Sequence, residues 1–342
     1  MRVLKKITFV LGEFAAQTPA QQLLDRFLLG YPRDGAWRRF TGTTMLAIAP
    51  PGIGEEELSR RVTDFGLVRT TDLVGALRES DAVLLFPGES RFPTPEILSA
   101  WLMLAQRGGP PAFAYGTLGP RPDAMRRELM SVPTADPICG TWASVASRLP
   151  QVDVPTGARV AEALVVVQGA KLHAELVGLD LVLSLVERRR GGEAGIERVE
   201  KFSGQEVWRR GAGGEWSWPL LAAALSRSNS PQGDALKDAR TQDLVGLGLV
   251  EKLARDPRGV TLHHKDGLPS TVLVLDGVVA DINFAVQLKQ GGILSAQVLR
   301  GPPPAENHYS KLVASLDDYF RTRTLPWSDL RGTHLSHVLA QL

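Results

Sequence analysis

Three side chains that can hold or move a proton lie within eight residues of one another: His173, Glu175 and Asp180. An apolar pattern predicts a helix over residues 174–189. His173, Val177 and Asp180 are about one and two turns apart, so they share one helix face. A histidine can act as acid or base near neutral pH. The candidate catalytic residues are therefore His173, Asp180 and Glu175, and a surface or capping His–Glu pair is the alternative interpretation.

The turn after the first apolar run is a candidate nucleotide site. Residues 7–11 have strand character, Gly12 follows, and a helical pattern comes next. Many dinucleotide-binding folds open in this way, but their fingerprint needs three glycines. Here Glu13, Ala15 and Gln17 crowd the loop, and the next strand ends in Ala-Pro-Pro-Gly without a ribose-binding acid. We therefore expect NAD and NADP to bind weakly or not at all, and a non-standard nucleotide mode is the alternative.

Other polar residues are more scattered. His263 and His264 are consecutive in a predicted strand, so they point to opposite faces. Asp281 and Asn283 are two residues apart in a later predicted strand, so they share one of its faces. His308 begins the last predicted helix. No metal triad has convincing spacing. A mixed histidine–carboxylate site would require folding to bring together four residues: His173, Glu175, His263 and Asp281.

Composition narrows the class of protein. The chain has 342 residues, 44% hydrophobic and 22% charged, which predicts about two domains. Its 39 basic and 37 acidic residues give a net charge of +2, which argues against a nucleic-acid partner. Cys139 is the single cysteine, so an internal disulfide is excluded. No apolar run approaches the roughly 20 residues that span a bilayer. We expect a cytoplasmic protein with a small-molecule ligand and no membrane partner.

The first half of the sequence alternates predicted strands and helices. The strands cover residues 7–11, 45–49, 82–86, 112–115 and 138–140, and the helices cover residues 19–29, 55–65, 72–79, 94–107 and 122–131. This rhythm predicts a Rossmann-like, doubly wound parallel sheet over residues 1–150. Ligands of such sheets bind at the carboxyl ends of the strands.

The second half has a different rhythm. A long strand over residues 159–172 precedes the helix 174–189, and a further strand covers residues 195–204. Four more strands follow, separated by Asp-Gly and Gly-Gly turns that favour hairpins, and a final helix covers residues 309–323. The pattern predicts an α+β domain over residues 151–342, with a large, mostly antiparallel open sheet and helices on one face.

Several segments carry a resemblance to a known family. "ALVVVQGAKLHAELVGLDLVLSLVERRRGGEAGIERV" and "PPPAENHYSKLVASLDDYFRT", with the order of the two domains, resemble the glucose–fructose oxidoreductase/inositol dehydrogenase (Gfo/Idh/MocA) family. The resemblance covers nearly the whole chain. It implies an NAD(P)-dependent oxidoreductase that binds a carbohydrate-like molecule in an interdomain cleft. It also implies dimers through the open sheet face.

The family's functional positions are altered in this chain. At the Glu-Lys-Pro position the sequence reads "FAYGTLGP", where Tyr115 and Thr117 replace the lysine as polar groups. Gly12 and Tyr115 are therefore the candidate cofactor-binding residues, with turn and packing roles as the alternative. The family's Asp-x-Gly-x-His-x-x-Asp pattern falls on residues 173–180, so Val177 replaces the catalytic histidine. Valine cannot transfer a proton, so the family's alcohol oxidation cannot follow its usual route.

Three function classes remain open. The first is an NAD(P)-dependent oxidoreductase with a non-standard cofactor loop. The second is a non-redox hydrolase or lyase that uses His173, Asp180 and Glu175. The third is a non-catalytic binding protein or the partner subunit of an active homologue. In the third class, the apolar alternation of residues 266–288 predicts a homodimer or a heterodimer through the second-domain sheet.

Overall fold

The structure is a computed structural model that describes residues 2–87, 109–117, 138–169, 171–192, 194–230 and 243–342. It contains two compact units: Met1–Val145 with Gly301–Ala340, and Ala146–Arg300 with Gln341–Leu342. The predicted ranges 1–150 and 151–342 therefore differ from these units at the C-terminal end. Residues 301–340 return to the first unit because the helix His308–Thr322 packs on the helix Pro19–Leu29, where Arg26 donates to Ser310.

A parallel sheet of six strands forms the centre of the first unit. Its strands are β1 (Lys6–Leu11), β4 (Thr44–Ile48), β5 (Val68–Arg69), β6 (Ala82–Phe86), β7 (Ala112–Tyr115) and β8 (Ile138–Gly140). The spatial order β5-β4-β1-β6-β7-β8 is that of a doubly wound nucleotide-binding fold. The predicted fold class is confirmed, and the predicted helices over residues 94–107 and 122–131 lie outside the described residues.

Five helices and a hairpin surround this sheet in the described part of the first unit. The helices are α1 (Pro19–Leu29), α2 (Glu55–Phe65), α3 (Leu73–Glu79), α8 (His308–Thr322) and α9 (Leu330–Leu339). The hairpin joins β2 (Tyr31–Arg33) to β3 (Ala36–Arg38) through Asp34 and Gly35, both with positive φ. In the described residues, no helix has the length and the apolar character needed to cross a bilayer.

The second unit is built on a sheet of seven strands. They are β9 (Arg148–Leu149), β10 (Val160–Val167), β11 (Ile196–Ser203), β12 (Arg255–His264), β13 (Pro269–Asp276), β14 (Ile282–Leu288) and β15 (Ile293–Val298). Their spatial order is β11-β12-β13-β10-β14-β15-β9, and only the β10–β13 pair is parallel. The helix α4 (Lys171–Val186) follows β10 and begins three residues before its predicted start.

Helices lie on both faces of this second sheet. On one face Gly178 of α4 packs directly on Val167 and Val272, where an added Cβ would lie 2.5 Å from the Val272 side chain. The neighbouring residues Val166 and Leu273 point to the opposite face, because successive side chains alternate along a strand. That face packs against α5 (Gln205–Ala212), α6 (Trp218–Leu225) and α7 (Val250–Leu253). The predicted arrangement with helices on one face is therefore corrected.

Residues 204–225 and 243–254 form the cover of this second face, and we call them the covering segment. Its apolar core includes Trp216, which is fully buried and whose indole N–H donates to the carbonyl of Val207 at 2.9 Å. Gly211 leaves room for the Trp216 ring, since a side chain there would overlap it. The covering segment thus buries a tryptophan core against the sheet as part of the chain's own fold.

Candidate functional site

The loops after β1 and β6 meet where the strand order of the parallel sheet reverses. In doubly wound folds this is the place where ligands bind. The amide of Gly12 donates to the carbonyl of Phe86 at 2.7 Å. A Cβ at Gly12 would lie 2.5 Å from the carbonyl oxygen of Pro87. Packing between the two loops therefore explains the glycine, whether or not a ligand binds there.

Phe14 occupies the position of the fingerprint's second glycine. That glycine normally lets the backbone approach a pyrophosphate. The Phe14 ring is instead buried, with 4% exposure, and it lies against Gly54 at the start of α2. The guanidinium of Arg61 lies over the same ring, 5.1 Å from its centroid. A bulky side chain thus fills the loop from inside.

Several amide hydrogens of this loop and of the start of α1 are bonded within the chain. Ala15 and Gln21 donate to the Thr18 hydroxyl at 3.4 Å, and Gln17 donates to the side-chain oxygen of Gln21 at 2.9 Å. Thr18 caps α1, and Pro19 in the first turn has no amide hydrogen to offer. Pyrophosphate sites use the free amides of a loop and a helix start. Here the amides of Ala15, Gln17 and Gln21 already donate within the loop and α1.

Arg61 joins α1 to α2 beside the loop. It forms two hydrogen bonds of 2.7 Å with the carboxylate of Asp25 and one of 2.8 Å with Glu57. The hydrogen bond from Arg61 lowers the pKa of the Glu57 carboxyl. The paired charges are only partly exposed, so solvent screens them less than a surface pair. The network holds Arg61 over Phe14.

Three features differ from what the glycine-loop mode of NAD or NADP binding uses. They are the buried Phe14 ring, the amides of Ala15 and Gln17 that are bonded within the chain, and Ala49 with two prolines where a ribose-binding acid would follow β4. The sequence predicts crowding by Glu13, Ala15 and Gln17, but the structure shows that Phe14 fills the loop. Phe14 could have been identified from the sequence, because it lies two residues after Gly12, where the fingerprint has its second glycine.

Tyr115, the second candidate cofactor residue, packs within the first unit. Its ring stacks on Phe86 with a centroid distance of 6.2 Å and meets Phe113 edge-on at 6.5 Å. Thr117 forms a hydroxyl–hydroxyl hydrogen bond with Ser336 of α9. Both contacts are of the structural kind that was the alternative for these residues.

The structure separates the three candidate catalytic residues of α4. Glu175 is buried on the side of the helix that faces the sheet, where its Oε1 lies 3.7 Å from Nε of Arg258. Asp180 and Val177 are also buried, whereas His173 is exposed. Because residues 173 and 175 differ by about 200° around a helix, Glu175 does not join His173 in one site. Of the predicted trio, His173 alone can meet solvent directly.

His173 has an altered proton affinity. The residue is exposed, but the protein around it displaces part of its water, and this desolvation lowers its pKa. The positive charge of Arg300 lowers the pKa further. The ring is therefore neutral at pH 7 and could accept a proton. Its exposure makes the effect of either cause modest.

The remaining predicted polar groups have separate surroundings. The imidazole of His263 contacts Glu200 at 3.1 Å, and His308 accepts from the amide of Gly301 at 3.1 Å. Asp281 accepts from Asn283 at 2.5 Å and from Ser228 at 2.9 Å. The mixed histidine–carboxylate set is not brought together. In the part of the chain that the structure describes, no three histidine, cysteine or acidic residues are placed to hold a metal ion.

With its parallel nucleotide-type sheet and mostly antiparallel second sheet, the chain has the fold of Gfo/Idh/MocA-type dehydrogenases. GenD2 from gentamicin A biosynthesis, solved with NAD, is similar at a TM-score of 0.58 and 11% identity, over 98% of this chain and 92% of that one. A putative myo-inositol dehydrogenase from Sinorhizobium meliloti 1021 gives 0.55 and 10%, over 98% and 95%. Myo-inositol 2-dehydrogenase from Lactobacillus plantarum gives 0.54 and 10%, over the same shares.

No family model and no curated protein matches the chain. The likeness therefore rests on structure at 10–11% identity, and it shows the fold alone. The function has to be inferred from this chain's own residues.

Proposed function

We propose that this protein is a non-redox relative of the Gfo/Idh/MocA-type dehydrogenases, which binds a small molecule without using NAD or NADP. The observation that carries the proposal is the closed loop after β1. Phe14 fills the place where the backbone would approach a pyrophosphate, and the Thr18 hydroxyl accepts from the loop amide of Ala15 and the helix amide of Gln21. GenD2, which has a similar fold, was solved in complex with NAD. In this chain Phe14 stands where the glycine fingerprint of dinucleotide sites has its second glycine.

A binding role is favoured over a partner-subunit role through the second sheet. The dimer interpretation required an open apolar face on residues 266–288. Leu273, Leu275 and Ala285 of that face are covered by the chain's own covering segment. A partner would have to displace this core, and losing it would be costly because large apolar side chains are buried there. We still propose that the chain can associate with itself or with a homologue, but through a surface other than this sheet face.

Nucleotide titration tests this function. Calorimetry with NAD and with NADP should give no saturable heat up to about 1 mM, the concentration at which a weak site would be half filled. One site with micromolar affinity for either nucleotide would overturn the proposal. The same titration on Phe14→Gly/Gln17→Gly, which restores the fingerprint's glycines, should show stronger binding than the wild type.

The exposed aromatic Phe65 at the end of α2 supplies the matched control. Phe65→Ala also removes an aromatic ring from the first unit, but it leaves the loop intact, so its titration should match the wild type. A gain in Phe65→Ala equal to that in the double variant would assign the effect to general loosening of the unit.

A non-redox acid–base enzyme is the second candidate. His173 favours it, because the residue is exposed and its lowered pKa keeps the ring neutral. Hydrolysis of p-nitrophenyl glycosides is a direct probe of one such reaction. If His173 is the general base, His173→Ala should lose about 10²–10⁴-fold in rate. Full activity in that variant, or none in the wild type, would exclude His173-dependent glycoside hydrolysis.

A further inference from the structure

A groove in the first unit combines an aromatic surface with a buried carboxylate oxygen that lacks a hydrogen-bond donor among the described residues. Its volume is about 420 Å³, and its walls are the β2–β3 hairpin and the last turns of α8. This size suits a small ligand, since binding pockets commonly measure about 300–1,000 Å³. None of its lining residues belongs to the loop after β1, so the inference drawn from it does not depend on the proposed function.

The aromatic surface is the Trp37 indole. With 58% exposure it is the most exposed aromatic side chain among the described residues. Its N–H donates to the carbonyl of Leu29 at 3.0 Å, which fixes the orientation of the ring. The tight turn at Asp34 and Gly35 reverses the chain between β2 and β3, and this places Trp37 of β3 at the groove. An exposed, fixed indole is a ready stacking surface for the apolar face of a ligand.

The unsatisfied polar atom is Oδ2 of Asp317, and the exposed Arg38 lies beside it. Asp317 is 1% exposed, and its Oδ1 accepts from Nε of Arg321 at 2.5 Å. Its Oδ2 has no hydrogen bond among the described residues and lies 3.7 Å from Nη2 of Arg38. Burial raises the pKa of this carboxyl. A buried acceptor without a donor is costly, so a ligand hydroxyl that donated to it would be favoured.

The charges of the groove are balanced. Three arginines and three aspartates line it: Arg33, Arg38, Arg321, Asp34, Asp317 and Asp318. Arg33 is neutralised by two hydrogen bonds of 3.0 and 2.8 Å to Asp318. A phosphate would meet the aspartates and a cation would meet the arginines. The balance therefore favours a neutral polar ligand over either ion.

We propose that this groove binds a neutral, polyhydroxylated ring compound such as a sugar or cyclic polyol. One hydroxyl donates to Oδ2 of Asp317 and accepts from Arg38, which fits the donor–acceptor duality of a hydroxyl. The C–H face of the ring rests on the Trp37 indole. The groove is thus a second ligand site, on the hairpin and α8.

Ligand-observed NMR titration tests the site with defined probes. The neutral probes are D-glucose, D-galactose and myo-inositol, and the charged probes are inorganic phosphate and choline. At least one neutral probe should bind saturably in the millimolar range. Absence of saturation for every neutral probe up to about 100 mM, or tighter binding of phosphate or choline, would overturn the proposal.

Two surface variants and one control locate the binding. Trp37→Ala and Arg38→Gln should each weaken the neutral probe by about tenfold, the loss expected for one contact of this kind. Phe65→Ala removes an exposed aromatic ring elsewhere in the unit and should leave the affinity unchanged. Equal affinity in Trp37→Ala and the wild type would refute the site. Asp317→Asn adds a check on the carboxylate, with circular dichroism to confirm folding.

Discussion

The loop after β1 and the second face of the antiparallel sheet are both closed by the chain's own residues, at very different scales. In the loop, Phe14 and a few polar side chains are sufficient. On the sheet, the covering segment of three helices buries Trp216 and its neighbours. Closure of the loop is a local feature that a few substitutions could reverse. Closure of the sheet is part of the unit's core and cannot be removed without loss of stability.

The largest expected effect concerns the tryptophan core of the covering segment. Trp216→Ala should lower the free energy of unfolding by about 3–5 kcal/mol, because it leaves a large cavity and removes the partner of the Val207 carbonyl. Chemical denaturation measures it. The exposed Phe65→Ala should stay within about 0.5 kcal/mol of wild type.

A small loss in Trp216→Ala would mean that the covering segment is loosely held. The sheet face would then be available to a partner, and light scattering of that variant should show association. A large loss without association would support a cover that is integral to the fold.

The next effect concerns the loop. Arg61→Ala should lower the free energy of unfolding by about 1–3 kcal/mol, because the half-buried Asp25 loses two hydrogen bonds from a charged donor. Arg60→Ala is a matched control one residue away, since the Arg60 pairs with Glu56 and Glu57 are exposed. That control should cost no more than about 1 kcal/mol. Equal losses of stability in the two variants would contradict a larger contribution from the Arg61–Asp25 pair.

A third prediction compares the helix caps of the two regions. Thr18 caps α1 beside the closed loop, and Ser217 caps α6 in the covering segment. Thr18→Ala and Ser217→Ala should each cost about 1 kcal/mol. Only Thr18→Ala should also speed hydrogen exchange at the amides of Ala15 and Gln21, which donate to its hydroxyl. Unchanged exchange at both amides would contradict the closed loop.

The same two regions show what the sequence could and could not predict. Five of the six strands of the parallel sheet have bounds within one residue of those predicted, because buried parallel strands are continuous apolar runs in the sequence. The two-residue β5 was missed. The resemblance to the Gfo/Idh/MocA family implied the two-domain fold, and that fold is confirmed.

The covering segment was missed for a physical reason. Its helices have eight residues or fewer, and "RRGAGGEW", which covers the end of α5 and the turn after it, has the glycine content of a loop. The alternation along residues 271–288 showed an apolar face but not what covers it, since that depends on contacts far apart in sequence. The role of Phe14 was missed for the same reason, because Gly54 and Arg61 complete its surroundings.

The candidate catalytic residues stay a prediction. Helical spacing puts His173, Val177 and Asp180 on one side of α4, where His173 is exposed and the other two are buried. The spacing could not show that Glu175 lies beside Arg258 of the sheet, because that contact joins residues far apart in sequence. Periodicity gives the face that a residue occupies, but it does not give the element that this face meets.

The smallest expected effect is the pH dependence that His173 contributes to the stability of the second unit. Desolvation and Arg300 lower its pKa in the folded protein, so the native state favours the neutral ring. The associated stability is present above the unfolded pKa of about 6.5 and is lost as the pH falls through the folded pKa. His173→Gln, which cannot take up this proton, should therefore flatten the decline of stability between about pH 7 and pH 5 by less than about 1 kcal/mol, since the ring is exposed.

Arg300→Gln should raise the His173 pKa in an NMR titration but leave it below 6.5, because desolvation is the larger cause. A His173 titration midpoint at or above 6.5 in the wild type would contradict the lowered pKa. It would then no longer support His173 as the general base of the second candidate function.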